Sequence, residues 1–343
     1  MEIMFEVGFT TGKVEDSGRS NWDGDGPRPL AWSAWYPTED TATKAAISEG
    51  SARSFFLTAE VVSDAHLASR QETYPVVLLS HGTGGTAAGL AWLSWRLAKA
   101  GFVVIGVDHH GNTASEQYRP EGFLCWWERA RDLTVLLDHH TVEGQFAGRL
   151  DLDRTFAAGF SLGGYTVLSL LGAITDMTLF LDWAHDKPLG NGPREFPDLG
   201  EQVARLLETS AVFRASWNRK SLSYEDSRIK AALLCAPAPT VRGLTGESLS
   251  KIAVPVAIAA VGADIEAPSD LCAAWVHEQL PSSTMGLLDP MAGHYAFLCE
   301  CSEWGKVRET EICADAPGVD RRWIHDRAAA LAIELFSKTG PDF

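Results

Sequence analysis

A serine in a glycine-flanked turn, a later acid and a still later histidine are the residues of this chain whose types and order could do chemistry. The serine is Ser161, within Arg154–Gly164, RTFAAGFSLGG. Thr155–Gly159 reads as a buried strand, Gly159-Phe160-Ser161-Leu162-Gly163 is G-x-S-x-G, and Tyr165–Leu171 reads as a helix. Strand, tight turn and helix form the setting that presents a serine as a nucleophile. The turn strains the serine backbone, and its glycines leave room where side chains would strike the adjoining strand and helix.

A serine hydroxyl needs a general base. The base in turn needs a carboxylate that fixes its tautomer and stabilises the imidazolium. Of the ten histidines, His277, His294 and His325 lie well downstream of the turn. His277 and His325 fall inside predicted helices, where histidines are mostly solvated. His294 stands in Met291-Ala292-Gly293-His294-Tyr295, a loop between the last predicted strand and the last helix, and is the candidate base. Catalytic groups of α/β sheets gather at the carboxyl ends of strands. Asp264 is the first carboxylate after the strand Val256–Val261 and is the candidate acid, ahead of Glu266 and Asp270. Attack on a carbonyl also builds an oxyanion that needs N–H donors. The backbone N–H of Leu162 is one candidate. The other is the N–H of Thr83, in the glycine-rich Ser80-His81-Gly82-Thr83-Gly84-Gly85 after an earlier strand. No G-K-[ST] follows that loop, so it is a poor phosphate cradle.

These positions need a scaffold that brings strand ends together. The continuous apolar runs Pro75–Leu79 and Phe102–Val107 predict strands buried on both faces, with a helix Ala87–Ala100 between them. Cys125–His139 predicts an amphipathic helix. Strands at Ile229–Leu234, Val256–Val261 and Thr284–Leu288 and helices at Ser269–Gln279 and Arg321–Phe336 follow the turn. Such alternation means a mostly parallel sheet with helices on both faces. Before it, Glu2–Thr11 and Leu30–Tyr36 read as antiparallel strands, separated by a turn-rich Ser17–Pro29. Residues 38–73 read as a surface excursion with a short helix near Ala52–Ala65. Residues 176–227 are too long for an ordinary connection and read as a cap or lid inserted into a single domain spanning 1–343.

The formal charge of −16 argues against nucleic acid or an anionic membrane as the main partner. No apolar run is long enough to predict a transmembrane segment. The N-terminal stretch carries no visible secretory signal, which points to the cytoplasm, or to a secreted or periplasmic protein whose leader has been removed. Cys235 and Cys272 lie in apolar surroundings and read as core residues. Cys299 or Cys301 could close a disulfide with Cys313, or all three could stay reduced; their spacing does not complete a zinc site. His109-His110 and His139-His140 are adjacent pairs whose side chains point apart, so each reads as solvated or hydrogen-bonded rather than metal-ligating. His109–Thr113 follows a strand end and could line the pocket. One or two of the twelve tryptophans could wall an apolar acyl pocket.

The runs LLSHGTGG, GVDHHGNTA, WWERARDL, GFSLGGYT, VGAD and AGHYAFL, in register from about Pro29 to Phe336, resemble the α/β-hydrolase family of predicted dienelactone hydrolases and platelet-activating-factor acetylhydrolase-like esterases. The resemblance implies an α/β-hydrolase fold, a mostly parallel eight-stranded sheet flanked by helices with an inserted cap. It further implies a serine esterase acting on a small-molecule ester, with Ser161, Asp264 and His294 as the triad, Thr83 and Leu162 as the oxyanion hole, and no metal or organic cofactor. Dienelactone hydrolases carry cysteine at the turn; Ser161 moves this chain towards the esterases. Members often carry a secretion leader, and the late cysteines suit an oxidising compartment. An acyltransferase, thioesterase or lactone hydrolase would use the same residues, and a homodimer is compatible with the sequence.

Overall fold

The computed structural model describes residues 5–46, 54–185, 187 and 192–339. Its centre is one sheet of ten strands: β1 (Glu6–Ser20), β2 (Pro27–Thr38), β3 (Ala45–Ala46), β4 (Glu60–Ser63), β5 (Tyr74–Ser80), β6 (Val103–Asp108), β7 (Leu150–Phe160), β8 (Ile229–Cys235), β9 (Val256–Val261) and β10 (Ser283–Asp289). They lie in the order β10-β9-β8-β7-β5-β6-β2-β1-β4-β3. From β6 through β10 every neighbouring pair is parallel. The hairpin β1–β2 is antiparallel and joins the sheet antiparallel to β6.

The sheet is mostly parallel, as the alternating pattern predicts, but it has ten strands rather than eight. Two of them, β3 and β4, are short and come from the 38–73 excursion. The helix expected near Ala52–Ala65 is not formed by its described part; Glu60–Ser63 is extended instead, pairing parallel with β1 at Gly8 and Phe9. Val61 and Val62 are both buried, and β-branched neighbours facing opposite sides of a strand suit that role better than a helix. The expected turn at Ser17–Pro29 is shorter than its composition suggests, because β1 runs to Ser20 and β2 starts at Pro27.

The central strands are apolar throughout because both faces are covered. Along β5, Val76 and Leu78 face a core formed with helices Glu128–Val142 and Leu162–Leu170. Val77 and Leu79 face the opposite core, formed with helices Ala91–Lys99 and Arg321–Ser337. This is the period of two expected of strands, read against helices on each side. The consequence for the site is that the carboxyl ends of β5, β7, β8, β9 and β10 emerge side by side. Among the described residues no helix is long and apolar enough to cross a membrane.

Between helix Leu162–Leu170 and β8, the described part of 176–227 includes helices Met177–His185, Gln202–Thr209 and Ala211–Trp217. Phe180 of the first packs on Trp126. Trp217 of the last packs on Trp127, and Ser216 there donates a hydrogen bond to Glu128.

Candidate active site

Ser161 stands between the end of β7 and the first turn of helix Leu162–Leu170, with φ 54° and ψ −118°. A positive φ at a non-glycine residue costs on the order of 1–3 kcal/mol and is retained only where surrounding structure imposes it. The imposing contacts are visible. A Cβ on Gly159 would lie 2.1 Å from the Gly163 carbonyl oxygen, and one on Gly164 would lie 2.9 Å from the Pro237 side chain. Ser161 N–H donates to Cys235 O at 2.9 Å, and Ser161 O accepts from Ala238 N–H at 3.0 Å. The turn is thereby pinned to the end of β8 on one side and packed on the β5 loop on the other.

The acid and base arrive on neighbouring loops. Gly262 N–H donates to Asp289 O, and Ala263 N–H to Ala292 O, tying the loop after β9 to the loop after β10. Asp264 follows at once, and His294 opens the short 3₁₀ turn His294–Phe297. The two loops bring Asp264 Oδ2 to 2.7 Å from His294 Nδ1, and His294 Nε2 to 2.9 Å from Ser161 Oγ. All three side chains are buried, and the His294 ring packs on Phe160 with centroids 4.8 Å apart. Asp264 Oδ1 accepts the Ala267 N–H at 2.7 Å, so both carboxylate oxygens are engaged. A carboxylate only accepts, so His294 Nδ1 carries the proton and Nε2 is the acceptor for the Ser161 hydroxyl. The runners-up are placed elsewhere. His277 is an exposed residue whose Nδ1 bonds Ser283 Oγ. His325 corrects an expectation: it is buried rather than solvated, stacked on Trp92 at 4.1 Å, with Nε2 on the carbonyls of Ala296 and Leu298. Burial pushes it down to about 3.

The loop after β5 lies against the serine. A Cβ on Gly82 would stand 3.2 Å from Ser161 Cβ. Among the described residues neither Thr83 N–H nor Leu162 N–H donates to a protein acceptor. Side chains from later segments hold the residues around Thr83. Asn112 Oδ1 accepts Gly84 N–H at 2.6 Å, and Tyr118 OH donates to Gly84 O at 2.8 Å. Glu195, from the 176–227 segment, reaches this loop as well, and burial raises its carboxyl above the ordinary range.

Of the two alternatives read for His109, solvated or hydrogen-bonded, the structure takes the second. His109 is fully buried, bonded to Asp132 and Ser80. Asn112 lies within His109–Thr113, which the sequence lets line the pocket; Tyr118, Arg129 and Asp132 are not among the site residues the sequence singles out. A signal was present: Arg129 and Asp132 recur at the spacing of Leu133 and Leu136, on the apolar stripe of their helix, where a charge needs a buried partner.

Cys301 and Cys313 form a disulfide, and Cys235 and Cys272 are buried.

Superposition on known structures settles the architecture. A ferulic acid esterase from Streptomyces cinnamoneus matches with a TM-score of 0.61, over 98% of this chain and 90% of that one, at 18% identity. The fold is that of the α/β hydrolases. Residues 71–179, which include the Thr83 loop and Ser161, match the α/β-hydrolase family Hydrolase_4, described as serine aminopeptidase, S33. The chain is 36% identical over 107 residues to cutinase est2 of Thermobifida alba, covering 31% of this chain and 32% of that protein. It is 35% identical over 92 residues to a bis(hydroxyethyl) terephthalate hydrolase of Streptomyces coelicolor, covering 27% and 26%. The matched stretch thus spans about a third or less of these relatives. In α/β hydrolases the nucleophile, acid and base follow one another in the chain order that Ser161, Asp264 and His294 have here.

Proposed function

We propose that this chain is a serine hydrolase of carboxylic esters, acting through an acyl-enzyme on Ser161. The observation that carries the reading is the continuous hydrogen-bonded line Asp264–His294–Ser161, ending beside two amides, Thr83 and Leu162, that have no acceptor among the described residues. As Ser161 Oγ attacks the ester carbonyl carbon, its proton passes to His294 Nε2. The Thr83 and Leu162 N–H groups donate to the oxyanion. Collapse breaks the bond to the alcohol oxygen, which takes the proton from His294. Water then attacks the acyl-enzyme, His294 removes its proton, and Ser161 recovers that proton as the acid leaves. Asp264 holds the tautomer throughout and offsets the imidazolium charge. No step needs a metal or organic cofactor.

Support for an ester comes from the partial relatives named cutinase and bis(hydroxyethyl) terephthalate hydrolase. Within the esterases, the quoted motifs favour the dienelactone hydrolase and platelet-activating-factor acetylhydrolase-like subgroup. Residues 176–227 act as the cap that sets substrate choice, Glu195 being the part that reaches the Thr83 loop. The Cys301–Cys313 bond favours an oxidising compartment over the cytoplasm.

A panel of p-nitrophenyl esters of graded acyl length, run beside lactones, thioesters and phospholipid-type esters, tests this. Simple esters should be turned over with a length cut-off, and Ser161→Ala should abolish turnover. Preference for a thioester or lactone, or transfer to an added alcohol in place of hydrolysis, would move the reading to the alternative acyl-transfer class.

A further inference from the structure

His109 of HHGNT and Asp132 of WERARDL, stretches the reaction above leaves unused, form with Ser80 of the Thr83 loop a second, buried serine–histidine–aspartate set. Ser80 Oγ lies 2.9 Å from His109 Nε2, and His109 Nδ1 lies 2.9 Å from Asp132 Oδ2. All three residues are 0% exposed, so no substrate can reach them. The geometry of a triad in a place without access calls for another role.

Proton bookkeeping assigns that role. Asp132 accepts from Arg19 Nη2 at 2.6 Å and from Arg28 Nε at 2.9 Å. Burial opposes its charge, but Arg28 and Arg19 outweigh burial and hold it well below the usual carboxylate range. Asp132 is therefore an acceptor, His109 Nδ1 carries the proton, and Nε2 is left to accept the Ser80 hydroxyl. The backbone N–H of His109 donates to His81 Nε2 at 3.1 Å, so His81 carries its proton on Nδ1 and gives it to Gly82 O at 2.6 Å. Arg129 donates Nη2 to the His81 carbonyl oxygen. With Asn112 and Tyr118 on Gly84, side chains from residues 109–132 hold residues 80, 81 and 84, and His81 itself holds Gly82. Thr83 sits in the middle of the held stretch, its N–H without an acceptor among the described residues. Burial, then the Arg129 charge, pushes His109 down to about 3, so this pattern of protons persists across neutral pH.

We propose that the buried Ser80–His109–Asp132 line, with Arg129, Asn112 and Tyr118, is a brace of positioning residues that aims the Thr83 N–H at the oxyanion. This rests on the esterase reading of Ser161. A brace of this kind acts on the transition state and not on the bound ester. Loosening it should therefore lower kcat while leaving KM in place.

The test uses Ser80→Ala, Asn112→Ala and Tyr118→Phe in the full chain. Steady-state kinetics on one p-nitrophenyl ester are combined with the affinity for phenylboronic acid, which adds reversibly to a catalytic serine and leaves a boronate oxygen at the oxyanion position. Loss of one oxyanion donor costs about 10²–10³-fold in kcat, so a misaimed donor should cost about 10–100-fold. KM should stay within about threefold, and boronate affinity should fall in step with kcat. Tyr118→Phe removes one hydroxyl from a half-buried side chain and keeps the test open should either alanine variant fail to fold, its expected effect being several-fold. Folded variants with kcat within twofold of the wild type, or with boronate affinity unchanged while thermal stability drops, would overturn the brace and leave a purely structural cluster. Failure of the parent reading looks different: the wild-type protein itself would neither hydrolyse the ester nor bind the boronate through Ser161.

Discussion

Gly163 lies so close to Ser80 that a Cβ on it would stand 2.0 Å from the Ser80 carbonyl oxygen. Backbone meets backbone there, with no flexible side chain to yield. The turn that carries Ser161 and the loop that carries Thr83 are therefore one packed unit, and their separation is set by a missing methyl group. Gly163→Ala must push the two apart or distort the turn. We expect a stability loss on the order of 1–3 kcal/mol and a fall in kcat/KM of at least about 100-fold, since both the nucleophile and an oxyanion donor shift. Urea unfolding and ester kinetics on the same preparation check this.

Asp264→Asn should leave the fold intact and remove most of the activity. The Ala267 N–H occupies one oxygen of Asp264 and will hold the amide carbonyl of the asparagine. The amide NH2 then faces His294 Nδ1, which must become an acceptor. The imidazole proton moves to Nε2, and Ser161 loses its base. A drop in kcat of about 10³–10⁴-fold with a small change in KM is expected. A loss below tenfold would remove Asp264 from the assigned role.

Acid should destabilise the protein earlier than its carboxylates would. His81, His109, His140 and His325 are all depressed by burial, His109 and His325 to about 3 and His140 to about 4. An unfolded histidine takes its proton near pH 6.5. Below that pH the unfolded chain binds protons that the folded chain refuses, so stability falls as pH drops from about 6.5 towards 4. Above 6.5 these groups contribute no slope. Each adds up to about 1.4 kcal/mol per pH unit within its window. Among the described residues neither ring nitrogen of His140 has a hydrogen-bond partner, and the ring lies edge-on to Trp32 at 4.4 Å. His140→Phe should thus flatten the pH dependence by about one proton and raise stability at pH 7 by on the order of 1 kcal/mol. Denaturant titrations at pH 5 and pH 7 measure both.

The Cys301–Cys313 bond closes a short loop of sequence separation 12. That loop carries Glu309, which takes the Arg194 guanidinium at 2.9 Å from the 176–227 segment. Loop-closure entropy puts the bond at about 2–3 kcal/mol. Cys313→Ser, or dithiothreitol, should lower the thermal midpoint by several degrees. Identical midpoints with and without reductant would count against the bond.

What could be read from the chain and what could not divide on physical lines. Ser161, Asp264 and His294 each follow a short apolar run, and local pattern alone marks a strand end. The chain order of the three then limits the choice of partners. Thr83 was legible for the same reason, since its glycines sit directly after β5. The brace was not, because its members come from three segments and each looks ordinary alone. His109 beside His110 reads as solvated or hydrogen-bonded, and only the end of β6 inside the molecule selects the hydrogen-bonded alternative and its partners. Arg129 and Asp132 stand on the apolar stripe of their helix, but their partners lie far off in sequence: Arg19 and Arg28, more than a hundred residues earlier, pair with Asp132, and the His81 carbonyl accepts from Arg129. The Ala52–Ala65 expectation failed differently. Alanines around it suggested a helix, but Val61 and Val62 found a free edge at β1. Tertiary pairing then outweighed propensity.

Ser161 is proposed as the nucleophile of an ester hydrolase. Labelling with a fluorophosphonate probe, followed by peptide mapping and parallel assay of ester hydrolysis, tests it most directly. One adduct is expected, on the peptide carrying Ser161, with activity lost in proportion to label and no adduct in Ser161→Ala. Hydrolysis that persists in the fully labelled protein or in Ser161→Ala, or an adduct on another residue, would contradict it.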